Sequence, residues 1–274
     1  MKELVTKAFR KLITDGFFET ASAVAGYCRL RIASSGDSLK SEKYKNVLEG
    51  AISVRKPLNI IQVGANDGKY NDPIYDFVKA NENTTNIILI EPLETLIPYL
   101  EDNYEYHPSV EILNKAVGDG GGTSSIRLYR IKREYWDDIN AGYGNSWPDY
   151  RVPTGVTTSN KNRLIQWASE NVESDLEPEH IIEGFNIETI TPSEIIDQSD
   201  ILDSVHLLQI DTEGMDDKIV YSFLESNIRP NIINIEKKHL SKAKQEEYDA
   251  KLSKYGYEVY DYTSSEKLAL RYEI

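Results

Sequence analysis

From residue 57 onward, short apolar runs alternate with amphipathic stretches, and the period switches each time from that of a strand to that of a helix. Leu58, Ile60, Ile61 and Val63 form a β-branched run of the kind found in parallel strands covered on both faces. It stops at Gly64-Ala-Asn-Asp-Gly68. Asp72-Pro73 then supplies a helix cap followed by proline at the first helical position, predicting a helix over 73–82. Further apolar runs predict strands at 86–90, 110–113, 124–130, 185–190, 205–210 and 232–235, with helices at 93–104, 192–199, 215–226 and 241–254. Thr263-Ser-Ser-Glu266 separates 257–262 from 268–272 as a terminal β-hairpin. The alternation predicts an α/β domain, a mostly parallel sheet wrapped by helices.

Two regions break the rhythm. In residues 1–56, Val5, Phe9, Leu12, Ile13 and Phe17, then Ala23, Tyr27, Leu30 and Ile32, recur at helical spacing, and a further helix is predicted over 39–53. Such an N-terminal helical extension serves as a substrate lid, a contact in a homo-oligomer or a cover for the core. Residues 131–186 hold all three tryptophans (Trp136, Trp147, Trp167) together with Tyr135, Tyr143 and Tyr150. Only about 160–173 reads as helix there, so the segment is taken as an aromatic-rich insertion facing substrate. The rest, 57–274, is one domain.

Charge and cysteine content narrow the class. Thirty-one Lys and Arg against 45 Asp and Glu give a net charge of −14, which argues against nucleic acid and anionic membranes as partners. No apolar run approaches the ~18 residues of a membrane span. Cys28 is the single cysteine, so no internal disulfide forms, and without a secretory leader the expected compartment is the cytoplasm. The four histidines are scattered, without zinc spacing.

In open parallel sheets ligands bind beyond the carboxyl ends of the strands. Those ends carry Gly64–Gly68, Glu91, Asn114–Ala116, Asp211 with Glu213, and Glu236. Glu91 suits the vicinal hydroxyls of a ribose, or caps the helix after it. The loop is Gly64-x-x-x-Gly68 and lacks the third glycine of the Gly-x-Gly-x-x-Gly pyrophosphate motif. Backbone amides there suit a carboxylate, and Asn66 or Asp67 an ammonium or ribose. A nucleoside with an amino-acid tail, S-adenosylmethionine, fits better than NAD.

Gln62-Val-Gly-Ala-Asn-Asp-Gly68, Glu91-Pro92, Asn114-Lys-Ala-Val-Gly-Asp119 and Ile210-Asp-Thr-Glu-Gly214, in that order, resemble the FkbM family of S-adenosylmethionine-dependent methyltransferases. The resemblance covers about 57–125 and 186–274. It implies a class I methyltransferase fold, Rossmann-like, with a seven-stranded sheet ending in a hairpin, and O-methylation of sugars in polysaccharides, glycosides or antibiotics. It also implies that Gly64, Ala65, Asn66 and Gly68 line the methionine part of the donor, that Glu91 holds the ribose, and that Asn114, Lys115 and Ala116 border the adenine. Asp119 is a further candidate, or simply part of a turn. Thr191-Pro192-Ser193 departs from the Thr-Leu-Asp that members often carry, and residues 1–56 and 131–186 have no clear family counterpart. These departures bear on the acceptor rather than the donor.

An alcohol acceptor needs help to lose its proton. Asp211, Glu213, Glu236 and His239 are the candidates, with Glu213 or His239 as base and Asp211 and Glu236 orienting substrate. A divalent ion on Asp211, Glu213 or Glu236 is an alternative, but these carboxylates serve equally to bind sugar hydroxyls or cap a helix, and no metal is assigned. The aromatic insertion either stacks on a sugar, with Asn140, Asn145 or Asp149 binding hydroxyls, or anchors its own loop. Lys132, Arg133 and Arg151 would suit an anionic acceptor. The competing readings are a nicotinamide or nucleotide-sugar enzyme and a non-catalytic binding module.

Overall fold

The computed structural model describes residues 40–118, 124–140, 148–172 and 177–271. The helices expected within 1–39, and Asp119, Tyr143, Asn145 and Trp147, lie outside the described residues. So does the turn at 120–122.

A seven-stranded sheet forms the centre, its strands in the spatial order 110–113, 85–90, 58–63, 207–210, 232–236, 266–271 and 257–261. Strands β1 (Leu58–Val63), β2 (Thr85–Ile90), β3 (Val110–Leu113), β7 (Leu207–Ile210) and β8 (Ile232–Glu236) run parallel. All residues of β1 and β7 are buried, which explains their near-continuous apolar runs. The hairpin of β9 (Tyr257–Asp261) and β10 (Glu266–Arg271) forms as predicted. Its second strand slots between β8 and β9, antiparallel to both.

Alternate side chains divide the core. On one face Leu58, Ile60, Ile87 and Leu207 pack under α1 (Lys40–Val54), α2 (Tyr75–Ala80) and α3 (Ile97–Tyr104). Tyr44, Val47, Leu48 and Ile52 of α1 belong to that cluster, so 40–54 covers the core. On the other face Ile61, Val63, Ile88 and Ile210 meet a helical layer that includes α7 (Pro192–Gln198), α8 (Asp216–Glu225) and α9 (Lys242–Lys254). Just before Pro192-Ser193, the pair that departs from the family pattern, Thr191 closes a capping box with Glu194 at the start of α7.

Three amides interrupt the apolar strands. Gln62, Gln209 and Asn234 lie side by side in register across β1, β7 and β8. Gln209 Oε1 accepts from Tyr44 Oη at 2.8 Å and from Asn234 Nδ2 at 2.9 Å, which ties two of the three amides together inside the sheet.

Several expectations need correction. The segment at 124–130 is strand β5 (Ser125–Ile131), but it does not join the central sheet. It pairs antiparallel with β6 (Ile182–Ile190), and β4 (Ala116–Val117) completes a second, three-stranded sheet. β6 is therefore longer than the predicted 185–190 and begins inside the insertion. The helix expected over 73–82 is confined to Tyr75–Ala80, and that over 93–104 divides into a 3-10 turn and α3. Nor is the insertion mostly loop. α4 (Trp136–Asn140), α5 (Arg151–Gly155) and α6 (Lys161–Asn171) enclose a small core of Ile131, Trp136, Ile139, Val152, Leu164 and Ile181. Among the described residues no helix is long and apolar enough to cross a membrane.

The ends of β1 and β7 meet at Gly64. Its φ is +76°, and a Cβ there would fall 1.8 Å from the Asp211 carbonyl oxygen. Gly64→Ala should therefore cost about 3 kcal/mol or more of stability in urea unfolding. Gly118→Ala, whose Cβ meets nothing nearer than 3.5 Å, should change it by less than about 1 kcal/mol.

Candidate active site

A cavity of about 330 Å³ opens beyond the carboxyl ends of the parallel strands, within the range of about 300–1,000 Å³ typical of small-molecule sites. One wall is the loop after β1. Gly64 N and Ala65 N both donate to Ile90 O, at 2.9 and 3.2 Å, so the loop turns across the end of β2. Asn66 adopts φ +52° and donates its N–H to Glu91 Oε2 at 2.8 Å. Glu91 Oε1 accepts from Leu93 N at 2.9 Å. Glu91 is only 4% exposed. Burial pushes its carboxyl up to about 7, against the pull of the Leu93 and Asn66 amides and the Arg151 charge.

Gln62 and Asp72 extend this wall. Asp72 Oδ1 caps the approach to α2, accepting from Ile74 N and Tyr75 N, while Oδ2 accepts from Gln62 Nε2. Burial pushes Asp72 up to about 6. Gln62 Oε1 is buried and has no hydrogen-bond partner among the described residues.

The opposite wall is built by Asp211, Thr212, Glu213, Glu236 and Lys238. Asp211 keeps accessible surface and lines the cavity. No hydrogen bond to a described residue occupies its carboxylate. Desolvation by the protein around it, then the charges of Glu236, Asp216 and Glu213, push it well above the usual carboxylate range. Glu213 behaves oppositely. Burial would raise it, but His239, Lys238 and Arg163 together hold it below its ordinary value. His239 Nε2 lies 3.0 Å from Glu213 Oε2 and 3.2 Å from Glu236 Oε2. Desolvation opposes a charge on the imidazole, yet those two carboxylates hold its pKa above the ordinary value. Lys238 Nζ pairs with Glu236 Oε1 at 2.6 Å.

The structure gathers most of the expected residues. Gly64, Ala65, Asn66, Glu91, Lys115, Ala116, Asp211, Glu213 and Glu236 all line the cavity. Asp67, Gly68, Asn114 and His239 do not. Asp67 is buried and turns back to accept from Lys69 N and Tyr70 N. Gly68 leaves room for Leu100 and Tyr104, each 2.7 Å from where a Cβ would stand. Asn114 donates to the Glu91 carbonyl. His239 stands behind the two glutamates. One ligand-type atom each from Glu213, Glu236 and His239 lies within 4.8 Å of the others, but Arg163 and Lys238 already counter their charge.

The insertion closes the cavity through Arg151, Val152, Thr154–Ser159 and Trp167. Trp136 is buried in the insertion's own core and donates Nε1 to Ile131 O, so it anchors the segment. Lys132 and Arg133 stay off the cavity, bound to the His180 carbonyl and stacked on Trp136. Gln62, Gln209, Asp72, Lys238 and Arg163 were missed. The first two had a signal in the sequence, an amide near the end of an otherwise apolar strand.

The family model described as the methyltransferase FkbM domain matches residues 62–259, more than half of the chain. The chain belongs to the FkbM methyltransferase family. Its members use S-adenosylmethionine, and the sheet is that of the class I methyltransferases. Solved structures similar to it include the O-methyltransferase NovP, at 11% identity over 85% of this chain and 80% of that one, with a TM-score of 0.40. Another is precorrin-6y C5,15-methyltransferase from Geobacter metallireducens, at 10% identity, 84% and 88% coverage and a TM-score of 0.38. Fibrillarin from Methanococcus jannaschii matches at 9% identity, 80% and 69% coverage and the same TM-score. No curated protein matches the sequence.

Glu91 should leave a pH signature. Its folded pKa lies above its unfolded value, so its contribution is fully present below about pH 4.5 and is lost as pH rises through 7. Between pH 5 and 8 the wild type should lose about 2–3 kcal/mol of unfolding free energy relative to Glu91→Gln, measured by urea titration at each pH. Equal pH dependence in both proteins would refute the assignment.

Proposed function

We propose that this methyltransferase transfers a methyl group to a hydroxyl of a carbohydrate or glycosylated metabolite. The observation that carries the reading is Asp211, an accessible carboxylate of raised pKa in the same cavity as the Gly64–Asn66 loop. S-Adenosylmethionine, when bound, supplies a methyl carbon made electrophilic by the sulfonium.

The residues present suit that donor. The unpartnered Gln62 Oε1, with Asp72 beside it, offers an acceptor for an ammonium. Ala65 and Asn66 stand at the methionine end. Glu91 holds the ribose: each oxygen already accepts one backbone N–H and keeps a second lone pair for a hydroxyl. Lys115 and Ala116, with Val117, Ile126 and Leu128 behind them, offer a mostly apolar surface for the adenine.

We assign the base to Asp211 rather than to Glu213 or His239. A base works best with a pKa near the operating pH and within reach of the proton. Glu213 is bound by three cationic or imidazole partners and held low, and His239 is outside the cavity wall. Asp211 makes no hydrogen bond to a described residue, and desolvation with the neighbouring carboxylates outweighs the pull of Lys238 and keeps it raised. It takes the acceptor's proton, while alignment in the cavity contributes much of the rate. Trp167 and the buried, unpartnered Thr157 hydroxyl present an apolar face and a polar group to a sugar. The acidic walls favour a neutral polyol over an anionic acceptor.

The test is incubation with methyl-labelled donor and a panel of oligosaccharides and glycosides. Label should enter as an O-methyl ether, and Asp211→Asn should reduce transfer by about 100-fold or more while retaining donor affinity. Label on carbon or nitrogen, or full transfer by Asp211→Asn, would contradict the proposal.

A further inference from the structure

The amino-acid end of the donor is a zwitterion, and the cavity has to receive both of its charges. Gln62 Oε1 and Asp72 account for the ammonium. The backbone amides of the glycine loop, expected to take the carboxylate, are already committed. Gly64 N and Ala65 N donate to Ile90 O, Asn66 N to Glu91 Oε2 and Asp67 N to Asn66 Oδ1. Gly68 N donates to Ala65 O, and Lys69 N and Tyr70 N to Asp67 Oδ1. From Gly64 to Tyr70 every N–H is thus spent inside the protein. A carboxylate brought there without another donor would bear its full cost of desolvation.

Among the described residues, the cationic side chains that line the cavity are Lys115, Arg151 and Lys238. Lys115 pairs with Glu188, and Lys238 pairs with Glu236 on the opposite wall. Arg151 stands at the glycine-loop wall. Its Nε donates to the Tyr70 carbonyl at 3.1 Å, two residues before Asp72. Its neighbours in the insertion hold it there. Tyr150 stacks on Tyr99 of α3 with ring centroids 4.1 Å apart, and Thr154, further along α5, accepts from Asn66 Nδ2 at 3.4 Å. Gly155 leaves room for the guanidinium, since a Cβ there would fall 2.6 Å from Nη1. The charge is felt at this end of the cavity, where it pulls Glu91 down against the effect of burial.

We propose that Arg151 binds the carboxylate of S-adenosylmethionine from the insertion, while Gln62 and Asp72 take the ammonium. A guanidinium presents its N–H groups as a planar fork that fits a carboxylate, and its charge offsets the carboxylate's. Of the three cations suited to an anionic acceptor, Lys132 and Arg133 stay off the cavity and Arg151 serves the donor. The insertion then selects for an intact amino-acid tail as well as covering the cavity. The assignment rests on the reading of this cavity as the donor site.

Calorimetric titration of the full chain with S-adenosylmethionine and with its decarboxylated analogue, which keeps the sulfonium and the ammonium, separates a carboxylate partner from a residue that only holds the loop. The wild type should prefer S-adenosylmethionine by about 10-fold or more. Arg151→Met should weaken S-adenosylmethionine by about 10-fold or more, as for loss of a hydrogen bond to a charged group, and the analogue by less than about 3-fold. Arg151→Lys, which keeps the charge without the fork, should weaken S-adenosylmethionine less than Arg151→Met does. Equal wild-type affinity for the two ligands, equal weakening of both in Arg151→Met, or undiminished S-adenosylmethionine affinity in that variant would overturn the proposal and leave the donor site in place. Failure of the wild type to bind either ligand would remove the donor site and the proposal with it.

Discussion

The site depends on how closely two strand ends can approach. At Gly64 the chain leaves β1 with a left-handed turn and no side chain, against the carbonyl of Asp211 at the end of β7. That contact places the glycine loop and the Asp211–Gly214 loop at one cavity. A bulkier residue would separate the strands or rotate one loop away. The asymmetry of the walls follows. One is built from backbone amides and buried acids, the other from a carboxylate cluster with its own cations.

Electrostatics then sorts acids of the same type into different roles. Asp72, Glu91 and Asp216 are buried with hydrogen bonds but without a cation close enough to offset desolvation, and all rise to about 6 or 7. Glu213, with Arg163, His239 and Lys238 around it, falls. Asp211 belongs to the first group electrostatically but keeps access to the cavity. Where the cations stand separates Glu213 from the raised acids, exposure separates Asp211 from the buried ones, and one of those cations belongs to the insertion.

Much of this was legible in the sequence because it is local. The parallel strands, the loop after β1 and the acids at strand ends follow from runs of β-branched residues and the residues that stop them. Even so, local pattern misjudged ranges where tertiary packing decides. Thr85 and Ile182 enter strands because a neighbouring strand pairs with them, and β5 belongs to a second sheet that no periodicity distinguishes from the first. Asp67 and Gly68 have the right spacing for a ligand loop, but one closes its own turn and the other packs on α3. Arg163 had no signal at all, since its partners lie 50 and 76 residues away.

The central claim is that the cavity between these two loops is the donor site, with Glu91 as its ribose partner. Calorimetric titration with S-adenosylmethionine, S-adenosylhomocysteine and NAD measures this directly on the wild type and on Glu91→Ala. Both S-adenosyl ligands should bind the wild type, NAD should not, and Glu91→Ala should weaken the two by about 10-fold or more, as expected when a buried hydrogen-bond partner is lost. Binding of NAD in place of the S-adenosyl ligands, or undiminished affinity in Glu91→Ala, would contradict the account.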